Sequence, residues 1–228
     1  MLINQNIMNQ VAKDVYQISL MPRNSINCYL LEDVLIDAGI RSSGKKILKK
    51  LEGFEVNTHA ITHAHADHQG ASKEICEKLG IPFICHEYDK RRAEQGVVAE
   101  EYPNPNNFIA KFQMSYWAGL GHKISRTIKE GEKIGGFAVI ETPGHASGHI
   151  SFFREKDGVL IVGDVINNMN LLTTRVGLQE PPKMFTANAE QNRESIKKLF
   201  NLDPRILCFG HGPVLYNSGE LEKFIKKI

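Results

Sequence analysis

The chain has 228 residues, of which 42% are hydrophobic, and a formal net charge of +2. That length supports one substantial core and few extra modules, and the composition is that of a globular protein. So small a charge gives no electrostatic reason to expect a nucleic-acid partner. Met1 to Gln10 is polar and lacks the apolar stretch of a secretory signal, and no apolar run nears the roughly 18 residues of a membrane span. Cys28, Cys76, Cys85 and Cys208 form no C-x-x-C pair, which fits reduced, buried thiols and a cytoplasmic setting with no membrane partner.

Asp14 to Met21 alternates as a half-buried strand does. Ser25 to Leu31 and Val34 to Ile36 read as a hairpin about Glu32-Asp33. Ser43 is placed to cap a helix through Leu51, with Ile47, Leu48 and Leu51 on one face. Lys45, Lys46, Lys49 and Lys50 read as its solvated side. Val56 to Thr62 is a buried strand that delivers Thr62-His63-Ala64-His65-Ala66-Asp67-His68 at its C-terminal end. A helix from about Gly70 to Leu79 stops at Gly80, and Ile81 to Cys85 is the next strand.

The pattern changes over residues 88–126, and this helical insertion is expected to belong to one domain spanning residues 1–228. Asn107 is placed to cap a helix with Phe108, Phe112 and Tyr116 at i, i+4, i+8. One reading packs this stripe on its own core. A second makes the insertion a lid or pocket wall, and a third uses residues 105–120 as a homodimer surface.

Ile134 to Glu141 is then a strand, and His149 to Phe153 pairs with Val159 to Val165 about Lys156-Asp157-Gly158. Asn188 or Thr186 caps a helix through Phe200, Arg205 to Phe209 is the last strand, and Glu220 to Ile228 is a closing helix. The stretch from Asn167 to Lys183 reads as a loop bordering the site. Two similar halves emerge, suited to a four-layer sandwich with two sheets inside and helices outside.

Seven metal-binding side chains recur in this frame: His63, His65, Asp67 and His68 in an H-x-H-x-D-H run, His145 after Pro143-Gly144, Asp164 after Gly163, and His211 between Gly210 and Gly212. Imidazole and carboxylate ligands suit zinc, iron or manganese. Two divalent ions need roughly four ligands each, with some shared or left to water. A pair about 3.5–4 Å apart can hold a hydroxide and polarise a substrate oxygen, so a hydrolase is the first reading. His63 and His65, two apart, point the same way from an extended segment. A single buried His or Asp is usually structural, but seven in this order are not. His59, alternating with Ile61, reads as structural. His149 reads as a packing residue behind the ligands, His86 as a strand-end polar group, and His122 carries no signal. Asp37 sits at a strand end where it can accept the N–H of a ligand imidazole. Ser147 and Ser151 lack a triad.

The H-x-H-x-D-H run, Pro-Gly-His, Gly-Asp and Gly-His-Gly together resemble the metallo-β-lactamase superfamily, from Cys28-Tyr29-Leu30 to His211. The resemblance implies an α+β four-layer αβ/βα sandwich of two mixed β-sheets packed face to face with helices outside. It implies His63, His65 and His145 on one metal, Asp67, His68 and His211 on the second, and Asp164 bridging, with zinc the first choice and iron or manganese the others. Asp67 doubles as the catalytic residue that passes a proton to the leaving group. Glyoxalase II enzymes carry a glutathione-binding C-terminal domain for which residues 212–228 leave no room. Secreted β-lactamases need an export signal, and transfer-RNA end-processing nucleases need a basic arm. Small esters, lactones and thioesters remain as substrates for a bridging hydroxide. A mononuclear iron persulfide dioxygenase built on His63, His145 and Asp164 is the alternative, and a non-catalytic metal-binding module is the third reading.

Overall fold

The structure is a computed structural model that describes residues 8–216 and 219–228. Residues 1–7, most of the polar segment read for a leader, lie outside it. Strands and helices are numbered in chain order. The first half contains β1 (Asn9–Ala12), β2 (Val15–Ser19), β3 (Asn27–Leu31), β4 (Val34–Ile36), α1 (Gly44–Lys50), β5 (Thr58–Ala60), α2 (Ala66–Gln69), α3 (Ser72–Leu79), β6 (Phe83–Cys85), α4 (Glu87–Gln95), α5 (Phe108–Phe112) and β7 (Arg126–Thr127). The second contains β8 (Lys133–Ile134), β9 (Phe137–Glu141), β10 (Ile150–Arg154), β11 (Val159–Gly163), β12 (Asn167–Met169), β13 (Val176–Gln179), α6 (Ala189–Phe200), β14 (Ile206–Phe209), β15 (Leu215–Tyr216) and α7 (Glu220–Ile225).

β1 to β7 form a seven-stranded sheet in chain order, and β15-β14-β11-β10-β9-β8 form a six-stranded one. Both are mixed: β4, β5, β6 and β7 run parallel, as do β11 and β14, while the remaining pairs are antiparallel. The period of two along each strand builds four layers. In β3, Tyr29 and Leu31 face the second sheet, whose Phe137, Val139, Phe152 and Ile161 complete the central core. Cys28 and Leu30 face outward onto Ile47 of α1 and Ile75 of α3. In β11, Val159 and Ile161 point in, whereas Leu160 and Val162 point out onto Ile196 and Leu199 of α6 and onto Leu221 and Phe224 of α7. Strands covered on both faces read as continuous apolar runs, which is why β11 is Val-Leu-Ile-Val. Each such side chain, fully buried, contributes about 1.5–3 kcal/mol. This is the αβ/βα sandwich.

Several local expectations need correction. Residues Asn9–Ala12 add a strand before the expected one, joined to it through Asp14 in a left-handed turn (φ 57°). Ser43 precedes α1, but its side chain makes no capping hydrogen bond and a short 3-10 turn, Arg41–Ser43, leads into the helix. The strand expected over Ile134–Glu141 is a hairpin, because Gly135 and Gly136 both take positive φ (51° and 69°). The stretch Asn167–Lys183 contains the β12–β13 hairpin rather than an open loop. Asn188, not Thr186, caps α6 by accepting the Gln191 N–H at 3.1 Å.

In the insertion, Asn107 caps α5 by accepting the Ala110 N–H at 2.8 Å. A π-helical turn, Gln113–Trp117, continues it. The aromatic stripe does not pack on a core: Phe108, Phe112 and Tyr116 are 83%, 42% and 66% exposed. The buried side is built instead from Ala110, Gln113 and Met114, with Ala110 against Tyr102. An i, i+4, i+8 spacing identifies a face but not the direction it points.

The four cysteines are free and buried, and burial pushes each thiol above its ordinary pKa. No helix among the described residues is long and apolar enough to cross a membrane.

Candidate metal centre

Five strands deliver the site to one edge of the sandwich. Asp37 follows β4, His63 to His68 follow β5, His145 follows β9, Asp164 follows β11 and His211 follows β14. Hydrogen bonds fasten the two halves there: the Asn27 N–H donates to Gly210 O at 2.9 Å and the Ile150 N–H to Thr62 O at 2.9 Å. The Asn27 side-chain amide adds bonds to Phe209 O and Gly212 O at 3.0 and 2.9 Å.

All seven predicted side chains come together. They form three overlapping groups, His63-His65-His145, His63-His68-Asp164 and Asp67-His68-His211, with ligand atoms in each within 4.8 Å of one another. Every member is buried.

The tethers of the imidazoles show which nitrogens are free. Thr62 Oγ1 donates to Asp37 Oδ2 at 2.9 Å, so it accepts from His63 Nδ1 at 3.0 Å. His68 Nδ1 donates to the same carboxylate oxygen, Asp37 Oδ2, at 2.9 Å. Thr186 Oγ1 donates to Pro182 O and accepts from His145 Nδ1 at 3.2 Å. His211 Nδ1 donates to Ser25 O at 2.5 Å. Four rings therefore carry a proton on Nδ1 and direct Nε2 inward. His65 is reversed: its Nδ1 lies 2.9 Å from His63 Nε2 and 3.0 Å from His145 Nε2. Three ring nitrogens aimed at one point, in rings that burial keeps neutral, match the donor set of a transition-metal ion. Burial holds His63 and His65 well below the usual imidazole pKa, and His145 at about 4.

The second group differs in charge. His211 Nε2 lies 2.9 Å from Asp164 Oδ2 and 3.4 Å from Asp67 Oδ2, and His68 Nε2 lies 3.5 Å from Asp164 Oδ1. Burial opposes protonation of His211 and His68, but the adjoining carboxylates win: His211 is raised to about 9 and His68 well above its ordinary value. Burial works against the Asp164 carboxylate too, yet His211 and His68 hold it well below the usual range. Two carboxylates facing buried imidazoles are a place where a cation takes the position of those protons. His65 Nε2, His68 Nε2 and Asp164 Oδ1 are buried without a hydrogen-bond partner in the protein. The residues present fit a pair of divalent ions.

Space is tight on the floor of the centre. A β-carbon at Gly210 would lie 2.2 Å from Asp164 Oδ1 and 2.7 Å from His68 Cε1, so this position admits only glycine without displacing both.

The residues set aside in the sequence find structural partners. His59 bonds Leu35 O at 3.0 Å and Ser72 Oγ at 2.8 Å, and burial lowers it to about 4. His149 Nε2 accepts the Asp164 N–H at 3.0 Å while its Nδ1 meets Thr142 Oγ1 at 2.8 Å, which fixes the backbone of that aspartate. His86 caps α4 and pairs with Glu141 at 3.1 Å. His122 stacks over Phe83. Asp37 takes the expected place behind His68 and adds the Thr62 N–H at 2.7 Å. Ser151 bonds Thr142 Oγ1 and Val162 O.

One network escaped the sequence reading. Asp89 in α4 is fully buried and accepts the N–H of Ala64, the residue between His63 and His65, at 2.6 Å. Arg92, one turn on, forms ion pairs with both Asp89 and Glu101. Glu101 accepts the N–H of Ser147, two residues past His145, at 2.8 Å. The insertion thus clamps two ligand-bearing loops through one guanidinium. Tyr102 follows directly, with its ring 4.8 Å from that of His65.

Comparison with known proteins agrees with this geometry. Residues 21–211 match the family model described as the metallo-beta-lactamase superfamily, and the chain belongs to that family. It is 32% identical over 200 residues to the probable metallo-hydrolase YflN of Bacillus subtilis, covering 78% of this chain and 75% of its relative. It is 29% identical over 151 residues to hydroxyacylglutathione hydrolase GloC of Haemophilus influenzae, covering 61% and 66% of the two chains. Among solved structures, TTHA1623 in a di-iron-bound form superimposes with a TM-score of 0.64 at 26% identity, covering 88% of this chain and 94% of that one.

Proposed function

We propose that the chain is a dinuclear metal-dependent hydrolase of small esters, lactones or thioesters. The carrying observation is the convergence of five tethered imidazoles and two carboxylates into overlapping groups at one sheet edge. Similarity to a metallo-hydrolase and to a hydroxyacylglutathione hydrolase supports hydrolysis and a carbonyl substrate. His63, His65 and His145 would hold one ion, Asp67, His68 and His211 the other, with Asp164 between them. Zinc is the first expectation, with iron or manganese able to fill the same ligands.

When bound, such a pair supplies Lewis acidity and lowers the pKa of water. The residues do the rest. Asp37, Thr62, Thr186 and Ser25 O hold the rings in one tautomer, so no reorganisation is needed when charge develops. His149 fixes Asp164 through its backbone. Of the two carboxylates Asp67 is the more exposed, its side chain at 12% against 6% for Asp164. That makes Asp67 the group able to move a proton between the centre and a leaving alkoxide or thiolate.

Elemental analysis of protein purified without added metal or chelator, followed by an ester, lactone and thioester panel, tests this reading. About two ions per chain with turnover is expected. One iron per chain, with oxygen uptake on glutathione persulfide and no hydrolysis, would overturn it.

A further inference from the structure

Beside the centre a cavity of about 350 Å³ opens between the insertion and the β12–β13 hairpin. That size lies at the lower end of small-molecule sites. Ile109 and Trp117 from the insertion face Met169, Met184 and Phe185 from the second half across it. The cavity adjoins the proposed ligands by direct packing. Phe185 lies 5.2 Å, ring to ring, from Tyr102, which in turn meets His65. Trp117 packs on the cluster containing Ala66, the residue between His65 and Asp67.

Four carboxamides line this mainly apolar space: Asn170 and Gln179 are taken up by each other at 3.1 Å and by nearby backbone groups, which leaves Asn167 and Gln113. Asn167 is 1% exposed, and neither its Nδ2 nor its Oδ1 has a partner in the protein. Gln113 is 6% exposed, and its Oε1 has none. Buried polar groups are nearly always paired, and those left open in a cavity mark where a ligand supplies the partner. Neither a hydrocarbon nor an ion suits them. A hydrocarbon arm would strand a donor and an acceptor. The one charged side chain in the lining, Glu180, is taken up by Arg193 at 2.7 Å. A carboxamide presents an N–H and a C=O side by side, and its complement is a group with one of each, the secondary amide.

We infer that this cavity is the subsite for a neutral, apolar substrate arm carrying a secondary amide, which pairs with Asn167 and Gln113. Resting on the hydrolase reading, this narrows the substrate to an ester, thioester or lactone with such an amide in its arm. Amide recognition by the cavity itself stands apart from that reading.

Trp117 is the only tryptophan in the chain and lines the cavity, so its emission reports occupancy without turnover. The probes are N-hexylacetamide and methyl heptyl ketone, matched in length and differing in the N–H. The amide is expected to bind about tenfold tighter or more, because the ketone leaves an acceptor unpaired. In Asn167→Leu that preference should fall to about twofold or less, with ketone affinity kept or improved. Should circular dichroism show that this variant does not fold, Gln113→Met serves, with a loss of about threefold expected in the amide preference. Equal binding of the two probes to the unaltered protein, or no change in Trp117 emission with either, overturns the subsite. An amide preference in a protein that hydrolyses nothing would retain the subsite and sink the hydrolase; hydrolysis without the preference would do the reverse.

Discussion

Around the His63–His68 loop, every side chain turned toward the centre is buried and most are tied to a fixed partner behind it. Along Phe108–Trp117, a few ångströms away, the rings of Phe108, Phe112 and Tyr116 face solvent and the helix widens to a π turn. The first region has one arrangement because each imidazole is held at its far nitrogen, and a different arrangement would leave several buried polar groups unpaired at once. The second is held mainly by small apolar contacts at Ala110 and Ala118 and by a single cap at Asn107. On the proposed reading, chemistry sits on the rigid side and the substrate arm meets the more loosely held one.

The contrast predicts unequal costs. The largest belongs to Asp164→Ala, which removes the carboxylate that lies 2.9 Å from His211 and 3.7 Å from His145 and is proposed to stand between the two ions. kcat/KM on any accepted ester should fall by about a thousandfold, and metal analysis should show depleted binding. Full turnover with two bound ions would break the rigid-side reading.

Arg92→Met comes next. It strands the buried carboxylate of Asp89 and releases Glu101, and removing one partner from a buried pair costs about 3–5 kcal/mol. Urea unfolding measures this directly. A loss below about 0.5 kcal/mol would place the network with surface ion pairs.

The pH dependence of stability sharpens the comparison within the rigid side. His59 is held at about 4 against an ordinary 6.5. A depressed imidazole binds its proton in the unfolded chain first, so its contribution is complete above pH 6.5 and is lost as pH falls toward 4. His59→Gln should therefore flatten the acid limb in that window, by no more than about 1.4 kcal/mol per pH unit. Unfolding followed from pH 7 to pH 4 in both proteins decides it, and superimposed curves would remove His59 as a cause.

Phe108→Ser should do least. At 83% exposure the ring has little to lose, and thermal unfolding should shift by no more than about 0.5 kcal/mol in ΔG. A larger shift that depends on protein concentration would instead reveal a second copy seated on the stripe.

Much of the centre was legible because its residues are local in sequence or follow strands with clear apolar runs. H-x-H-x-D-H lies within six residues, and Asp164 ends Val-Leu-Ile-Val-Gly. Asp37 could be placed because a carboxylate at a strand end near the metal loop can accept the N–H of a ligand imidazole, a role the family resemblance also implies. What stayed hidden depends on contacts that no period encodes. Arg92 reaches Asp89, three residues back, but also Glu101 and, through it, Ser147. In a charge-rich run nothing marks that guanidinium as buried. The β12–β13 hairpin turns through Thr174 at φ 57°, a conformation that threonine rarely takes, and its one local turn signal, Asn170 accepting the Leu172 and Thr173 N–H groups, does not by itself distinguish a hairpin from a loop. The outward stripe of the insertion was visible as a stripe, but its direction is decided by Ala110 and Tyr102.

Gly210 has a bearing on how such a protein should be mutated. Scanning by truncation asks what is missed when atoms are taken away, and it treats alanine as the blank. At the floor of this centre alanine is the bulky choice: its one extra carbon would sit against Asp164 and His68 at once. A survey that skips glycines would chart every ligand and overlook the residue whose emptiness sets how closely the ligands can gather.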